Sequence, residues 1–130
     1  MELLPQGQTN TTEVLWEDQQ KINQFSSLIS QKDTLAAEKA TFQTEKEYIE
    51  DLALEIELLD SDEKVQYKIG DAFVFLDVSR AVEMVEKENQ RLEEKISAAA
   101  EAIEEIDAKL AELKAHLYSK FGKNINLERD

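Results

Sequence analysis

The sequence predicts a mainly α-helical chain: a long antiparallel two-helix coiled coil with a central β-hairpin at one end. Apolar residues recur through two long runs at alternating steps of three and four, which is the spacing of a coiled coil. Glycine and proline, which end helices, occur only outside these runs, at Pro5, Gly7, Gly70 and Gly122. The segment between the runs alternates apolar and polar residues, as a half-buried strand does.

Composition excludes several classes of function. The 130 residues include 29 acidic and 15 basic ones, a net charge of −14, whereas binding to nucleic acid or an anionic membrane needs a basic surface. Without cysteine there is no disulfide, thiolate metal site or cysteine nucleophile. No apolar stretch is long enough to span a membrane, and Met1–Pro5 lacks the basic start of a secretory signal. We therefore expect a soluble, cytoplasmic protein.

The first helix is predicted over residues 15–59, after a flexible tail over residues 1–14. One seam position is apolar throughout, at Leu28, Leu35, Phe42, Ile49 and Ile56. The other holds Lys32, Lys39 and Lys46, which form either a basic stripe for an acidic partner or, as we favour, a polar seam position that sets the register. The acidic run 60–63 is unfavourable at a helix C-terminus and ends the helix. Lys64 and Val65 exclude a calcium-binding loop there.

The hairpin is predicted over residues 64–76. Gly70 and Asp71 suit a type II′ turn, which needs a positive φ at its first central position. An isolated hairpin is only marginally stable in water, so strands from another polypeptide should complete its sheet. The residues expected to mediate this assembly are Val65, Tyr67, Ile69, Gly70, Phe73, Val74 and Phe75.

The second helix is predicted over residues 79–121, followed by a C-terminal tail over 122–130. Its seam is Val82, Val85, Asn89, Leu92, Ile96, Ala99, Ile103, Ile106, Leu110, Leu113 and Leu117. Asn89 is the polar seam residue and is expected to fix the register. Folding the chain about Gly70 places residue i opposite roughly residue 138−i.

No catalytic site, metal site or cofactor site is predicted. Catalysis needs groups that converge in a concave site, and a pair of helices offers none. His116 with Glu112 one turn earlier is a weak metal pair, and we interpret His116 as a solvated helix residue. Binding remains, at the hairpin and at apolar residues near the free end of the coil. The latter, as candidate contacts for a bound protein, are Leu3, Leu4, Trp16, Phe121, Ile125 and Leu127.

Four stretches carry a resemblance to a known family. They are Met1–Gln8, Glu17–Asn23, Val65–Phe73 and Leu113–Glu128, and together with the order helix, hairpin, helix they resemble the β-type subunits of prefoldin. The resemblance extends over essentially the whole chain. The terminal stretches are more specific than the heptads, which any coiled coil shares.

The resemblance implies a heterohexamer of α-type and β-type prefoldin subunits, in which the hairpins form an intersubunit β-barrel. In that family the coiled-coil tips hold unfolded actin and tubulin and transfer them, without ATP, to the cytosolic chaperonin TRiC/CCT. This implies a cytoplasmic location and leaves a nuclear pool open. The alternative from the residues alone is a structural scaffold or tether, in which the hairpin caps a homodimeric coiled coil.

Overall fold

The computed structural model describes residues 2–3, 16–60, 62–122 and 125–126. Two long helices and an antiparallel two-stranded hairpin make this part of the chain mostly helical, which confirms the predicted fold class of helices and hairpin. The elements in chain order are β1 (Glu2–Leu3), α1 (Trp16–Glu57), β2 (Lys64–Ile69), β3 (Ala72–Asp77), α2 (Val78–Phe121) and β4 (Ile125–Asn126). Within these residues no helix is both long and apolar enough to cross a membrane.

Helix α1 ends two residues before the predicted end. After Glu57 the N–H groups of Leu58 and Leu59 donate to the carbonyls of Glu55 and Ile56, each at 3.1 Å. These bonds span three residues rather than four, so the last turn tightens and uses helix carbonyls that would otherwise lack a donor. The acidic residues that follow favour this end, because negative charge is unfavourable near a helix C-terminus.

Strands β2 and β3 form a hairpin with a two-residue loop. Ile69 pairs with Ala72, and Gly70 has a φ of +60° while Asp71 does not adopt a positive φ, as a type II′ turn requires. At its other end Lys64 pairs with Asp77, and α2 begins directly after, at Val78.

The chain divides into two compact units. We call residues Glu38–Ala98 the hairpin unit, and Met1–Ala37 with Ala99–Asp130 the terminal unit. The hairpin unit has a core of Ile49, Leu52, Ile56, Val65, Tyr67, Ala81, Val85 and Leu92. The terminal unit has a core of Ile22, Phe25, Leu28, Ile29, Ile106, Leu110, Leu117 and Phe121.

Seam prediction fails at one position of α2. Val82 is exposed, and the fully buried residue is its neighbour Ala81. Ala81 shares its cluster with Val65 and Tyr67 of β2, so the first turn of α2 faces the hairpin as well as α1. A small side chain suits this close approach between helix and strand, and the heptad rule does not anticipate a third element.

Ion pairs confirm the predicted offset between the helices inside each unit. Lys32 Nζ lies 2.7 Å from Asp107 Oδ1 in the terminal unit, and Lys46 Nζ lies 3.6 Å from Glu93 Oε1 in the hairpin unit. The residue numbers of both pairs add to 139, against the predicted 138. Both lysines keep half-buried stems while their ammonium groups reach acids of the other helix, as expected of a register-setting seam position.

The chain ends depart from the predicted tails. In the terminal unit β1 pairs antiparallel with β4, Glu2 opposite Asn126 and Leu3 opposite Ile125. Composition carries no information on backbone pairing between distant segments, and polar termini therefore predict flexible tails. The rest of both predicted tails, except Gly122, lies outside the described residues.

Candidate functional site

The outer face of the hairpin is the first candidate binding surface. Register places Phe75 opposite Gln66 and Phe73 opposite Lys68, so these four side chains share one face. Phe73 is 56% exposed and Phe75 is 72% exposed. Each strand has one hydrogen-bonded neighbour in this sheet, which leaves each a second backbone edge. Further strands could pair along these edges and so cover the two exposed phenyl rings.

The inner face of the hairpin is covered by the chain itself. Val65 and Tyr67 are buried, and Val74 and Leu76 are half-buried against the hairpin-unit core. The expectation that all apolar hairpin residues need strands from another chain is therefore too broad, because the helices cover one face. Of the predicted assembly residues, Gly70 forms the turn, and the side chain of Ile69 lies outside the description.

A groove of about 490 Å³ opens in the hairpin unit beside Tyr67. It is lined by Thr44, Glu45, Tyr48, Ile49, Tyr67, Lys68, Gly70, Glu88 and Leu92. Arg91 already engages both carboxylates, with Nη2 at 2.5 Å from Glu88 Oε1 and 3.9 Å from Glu45 Oε2. The guanidinium of Arg91 therefore partly balances the charge of these two carboxylates, and Lys68 is the other charged side chain of the lining.

Burial raises the pKa of the Tyr67 phenol above its usual value of 10.0, and the charge of Glu88 raises it further. The hydrogen bond from Arg91 to Glu88 raises the pKa of the guanidinium in turn. Tyr67 thus remains a neutral ring at physiological pH and acts as a core residue of the hairpin unit.

The predicted contact residues of the terminal unit differ in how exposed their side chains are. Trp16, at the start of α1, is 76% exposed, whereas Phe121 is buried in the terminal-unit core. Leu3 and Ile125 are paired through their backbones, and Leu4 and Leu127 lie outside the described residues. Only Trp16 therefore offers a described side chain to a partner without rearrangement of the unit.

A buried carboxylate joins the two helices of the terminal unit. Asp18, in the first turn of α1, accepts a hydrogen bond from Lys120 Nζ in the last turn of α2. His116 Nε2 lies 3.9 Å from Asp18 Oδ1, so this histidine faces an acid and is not simply solvated. Lys120 Nζ also lies 5.7 Å from the Phe121 ring centroid, a cation–π contact. Seam spacing alone does not predict this cluster, although the offset of 138 does place residue 18 opposite residue 120.

A further group of exposed apolar residues was also missed. Tyr48, Leu54 and Leu58 of the hairpin unit are all exposed, and none of them belongs to the predicted seam.

Across the described residues, no group of three or more His, Cys, Asp or Glu side chains is arranged to hold a metal ion.

Comparisons with known proteins agree over nearly the whole chain. A family model described as "Prefoldin subunit" matches residues 19–124. Prefoldin subunit 4 of Saccharomyces cerevisiae is 55% identical, with 99% of this chain and all of the relative covered. Prefoldin subunit 4 of Homo sapiens is 40% identical, with 90% and 88% covered. The crystal structure of the prefoldin beta subunit from Thermococcus strain KS-1 superposes with a TM-score of 0.73 at 23% identity. That match covers 86% of this chain and 98% of that one, and supports the fold.

Proposed function

This chain belongs to the prefoldin family, and we propose that it is one β-type subunit of a heterohexameric, ATP-independent co-chaperone with other α-type and β-type subunits. In this proposal the complex holds unfolded proteins, actin and tubulin among them, and passes them to the cytosolic chaperonin TRiC/CCT. The observation that carries the proposal is the outer face of the hairpin, where Phe73 and Phe75 are mostly exposed. Family membership supports a binding role and no catalytic one.

Assembly follows from the energetics of that outer face. Burying a phenylalanine side chain fully contributes roughly 1.5–3 kcal/mol, so strands that cover Phe73 and Phe75 gain substantial free energy. Their backbone edges add hydrogen bonds that only another strand can match. Because the helices already cover the inner face, the partner strands pair along the edges and enclose the outer face, as the strands of a barrel do.

Client holding is assigned to the terminal unit. The exposed indole of Trp16 offers a large apolar surface with few rotatable bonds, and such a contact binds many sequences weakly. Leu3, Leu4, Ile125 and Leu127 remain further proposed contacts, and Phe121 becomes one only if the terminal-unit core opens. Weak, unspecific contacts suit a chaperone that must release its client without ATP.

Transfer to the chaperonin is proposed to use the acidic surface of the helices. The net charge of −14 keeps the chain soluble and attracts basic surfaces over a range that salt shortens. Docking to TRiC/CCT should therefore weaken as salt is raised, and docking that ignores salt contradicts this step. The proposed location is the cytoplasm, where that chaperonin acts.

The decisive experiment measures native mass, first of this chain alone and then after mixing with the other prefoldin subunits. We expect incorporation into a hexamer, lost when Phe73→Ser and Phe75→Ser are combined. Trp16→Ser is the matched control, because it removes a comparably exposed aromatic residue from the other unit and should preserve assembly while weakening client holding. A stable homodimer that ignores the partner subunits would refute the proposal and favour the tether.

A further inference from the structure

A second apolar and acidic stripe runs along the outer face of α1 in the hairpin unit. Glu47, Asp51, Leu54 and Leu58 follow each other at steps of four, three and four, which places them on one face of the helix. This face points away from the stripe of Ile49, Leu52 and Ile56 that enters the core. All four side chains are exposed.

The two leucines of this stripe are not explained by the fold. Leu54 is 62% exposed and Leu58 is 87% exposed, and neither packs in the hairpin-unit core. Leu58 follows the last residue of α1, and its N–H bond to the Glu55 carbonyl continues the turn that presents it. Single exposed leucines are ordinary, but a leucine pair one turn apart that extends a four-three-four pattern has the spacing of a helix-binding seam.

We propose that this stripe docks a helix from a partner protein. That helix carries apolar residues opposite Leu54 and Leu58 and lysine or arginine opposite Glu47 and Asp51. The surface is separate from the outer face of the hairpin, because it lies on a different element, and it does not depend on the proposed function.

The negative charge on and beside the stripe favours a basic partner helix over other occupants. Further exposed acids flank the stripe at Glu50, Glu55 and Glu57, and the ammonium of Lys46 nearby is engaged by Glu50 and Glu93. A second copy of this chain, with a net charge of −14, would add acids to an acidic face. Nucleic acid and anionic lipid are repelled for the same reason. A basic amphipathic helix matches both the leucines and the carboxylates.

The test uses a synthetic alanine-based helical peptide as a probe. Two leucines followed by two lysines, at steps of four, three and four, complement the stripe in antiparallel orientation. Fluorescence anisotropy measures its binding to this chain alone and to this chain assembled with its partner subunits. We expect saturable binding that weakens about tenfold or more when Leu54→Ser and Leu58→Ser are combined, because the apolar contact is lost. Glu47→Gln with Asp51→Asn should weaken binding and reduce its salt dependence.

The matched control is Glu101→Gln with Glu105→Gln, which makes the same charge change at exposed positions of α2. It should leave the affinity unchanged. An equal loss in this control, or no effect of the leucine substitutions, would show that the peptide senses only net charge and would overturn the proposal. Binding to the isolated chain but not to the assembled complex would assign the stripe to a neighbouring subunit instead, and the absence of saturable binding to both would remove the site.

Discussion

The hairpin unit and the terminal unit are built from the same two helices but differ in how many of their large apolar side chains are exposed. In the terminal unit Phe25, Leu117 and Phe121 are buried together, and among its described residues Trp16 is the large apolar side chain left exposed. In the hairpin unit six large apolar side chains of the described residues remain exposed: Tyr48, Leu54, Leu58, Phe73, Phe75 and Val82.

This difference separates two ways of binding. Exposed apolar surface that persists in the folded unit is available for a stable, specific contact, which suits subunit assembly. A unit whose apolar residues are already packed can offer extended apolar contact only by opening, which suits transient holding of an unfolded chain. The two units should therefore respond differently to matched substitutions.

The largest expected effects come from the cores. Leu92→Ala and Leu117→Ala each remove a fully buried leucine, one from each unit, and should each lower the local free energy of unfolding by about 3–4 kcal/mol. Amide hydrogen exchange should show the loss in the hairpin unit for Leu92→Ala and in the terminal unit for Leu117→Ala. Only the first should impair incorporation into the proposed hexamer. Equal assembly defects in both variants would show that the units are not independent.

The buried carboxylate of the terminal unit gives the next effect. Asp18→Asn keeps the shape of the side chain but removes the charge that Lys120 and the first turn of α1 both stabilise. We expect amide exchange in the terminal unit to report a loss of about 1–2 kcal/mol, moderated because Lys120 can reach water. Asp107→Asn, which breaks the more exposed pair with Lys32, is the control and should cost less than about 1 kcal/mol. An equal cost for both would mean that burial of Asp18 adds nothing.

Asn89→Leu should stabilise the hairpin unit. Asn89 Nδ2 donates to Glu93 Oε1 at 3.5 Å, but its Oδ1 is buried and accepts no hydrogen bond from the described residues. Removing an unsatisfied acceptor and adding apolar contact should raise the urea midpoint by the equivalent of about 1 kcal/mol. The same change removes the polar seam residue, so the offset between the helices should become less strictly defined. An unchanged or lower midpoint would mean that Oδ1 finds a partner in solution.

The smallest effect is a pH dependence at Tyr67. Because burial raises the pKa of the folded phenol above 10.0, ionisation costs stability as the pH rises from 10.0 through that higher value. Tyr67→Phe keeps the ring and cannot ionise. The free energies of unfolding of the two proteins should depend on pH in the same way below pH 10. Above pH 10 they should diverge by a few tenths of a kcal/mol, because the wild-type chain loses more stability. Curves that stay parallel would show that Tyr67 is not desolvated.

Much of the fold could be predicted because the determining pattern is local. In α2 nearly every third or fourth residue is apolar, so the helix, its buried face and its offset from α1 all follow from spacing. The Gly70 turn follows from the positive φ that few other residues adopt without strain. The seam lysines were interpretable because a long stem can lie in a seam while its charge leaves it.

The binding surfaces could be predicted less well because they depend on which face a neighbouring element covers. Strand alternation separates Val65 and Tyr67 from Gln66 and Lys68 but does not say that the helices cover the first pair. An acid in a first helical turn indicates a favourable dipole, and only the folded offset brings Lys120 to Asp18. The Leu54 and Leu58 stripe lies opposite the dominant seam, where four residues are too few to register as a period.

The pairing of β1 with β4 has a consequence for how this chain can be cut and rejoined. Because Glu2 lies opposite Asn126, these two residues, which are far apart in the sequence, lie side by side, and a short linker could join the strands that carry them. Gly70 and Asp71 are exposed at the hairpin turn, where new ends would be tolerated best. A circular permutant opened there would turn the continuous hairpin into two separate strands, each at its own end of the chain.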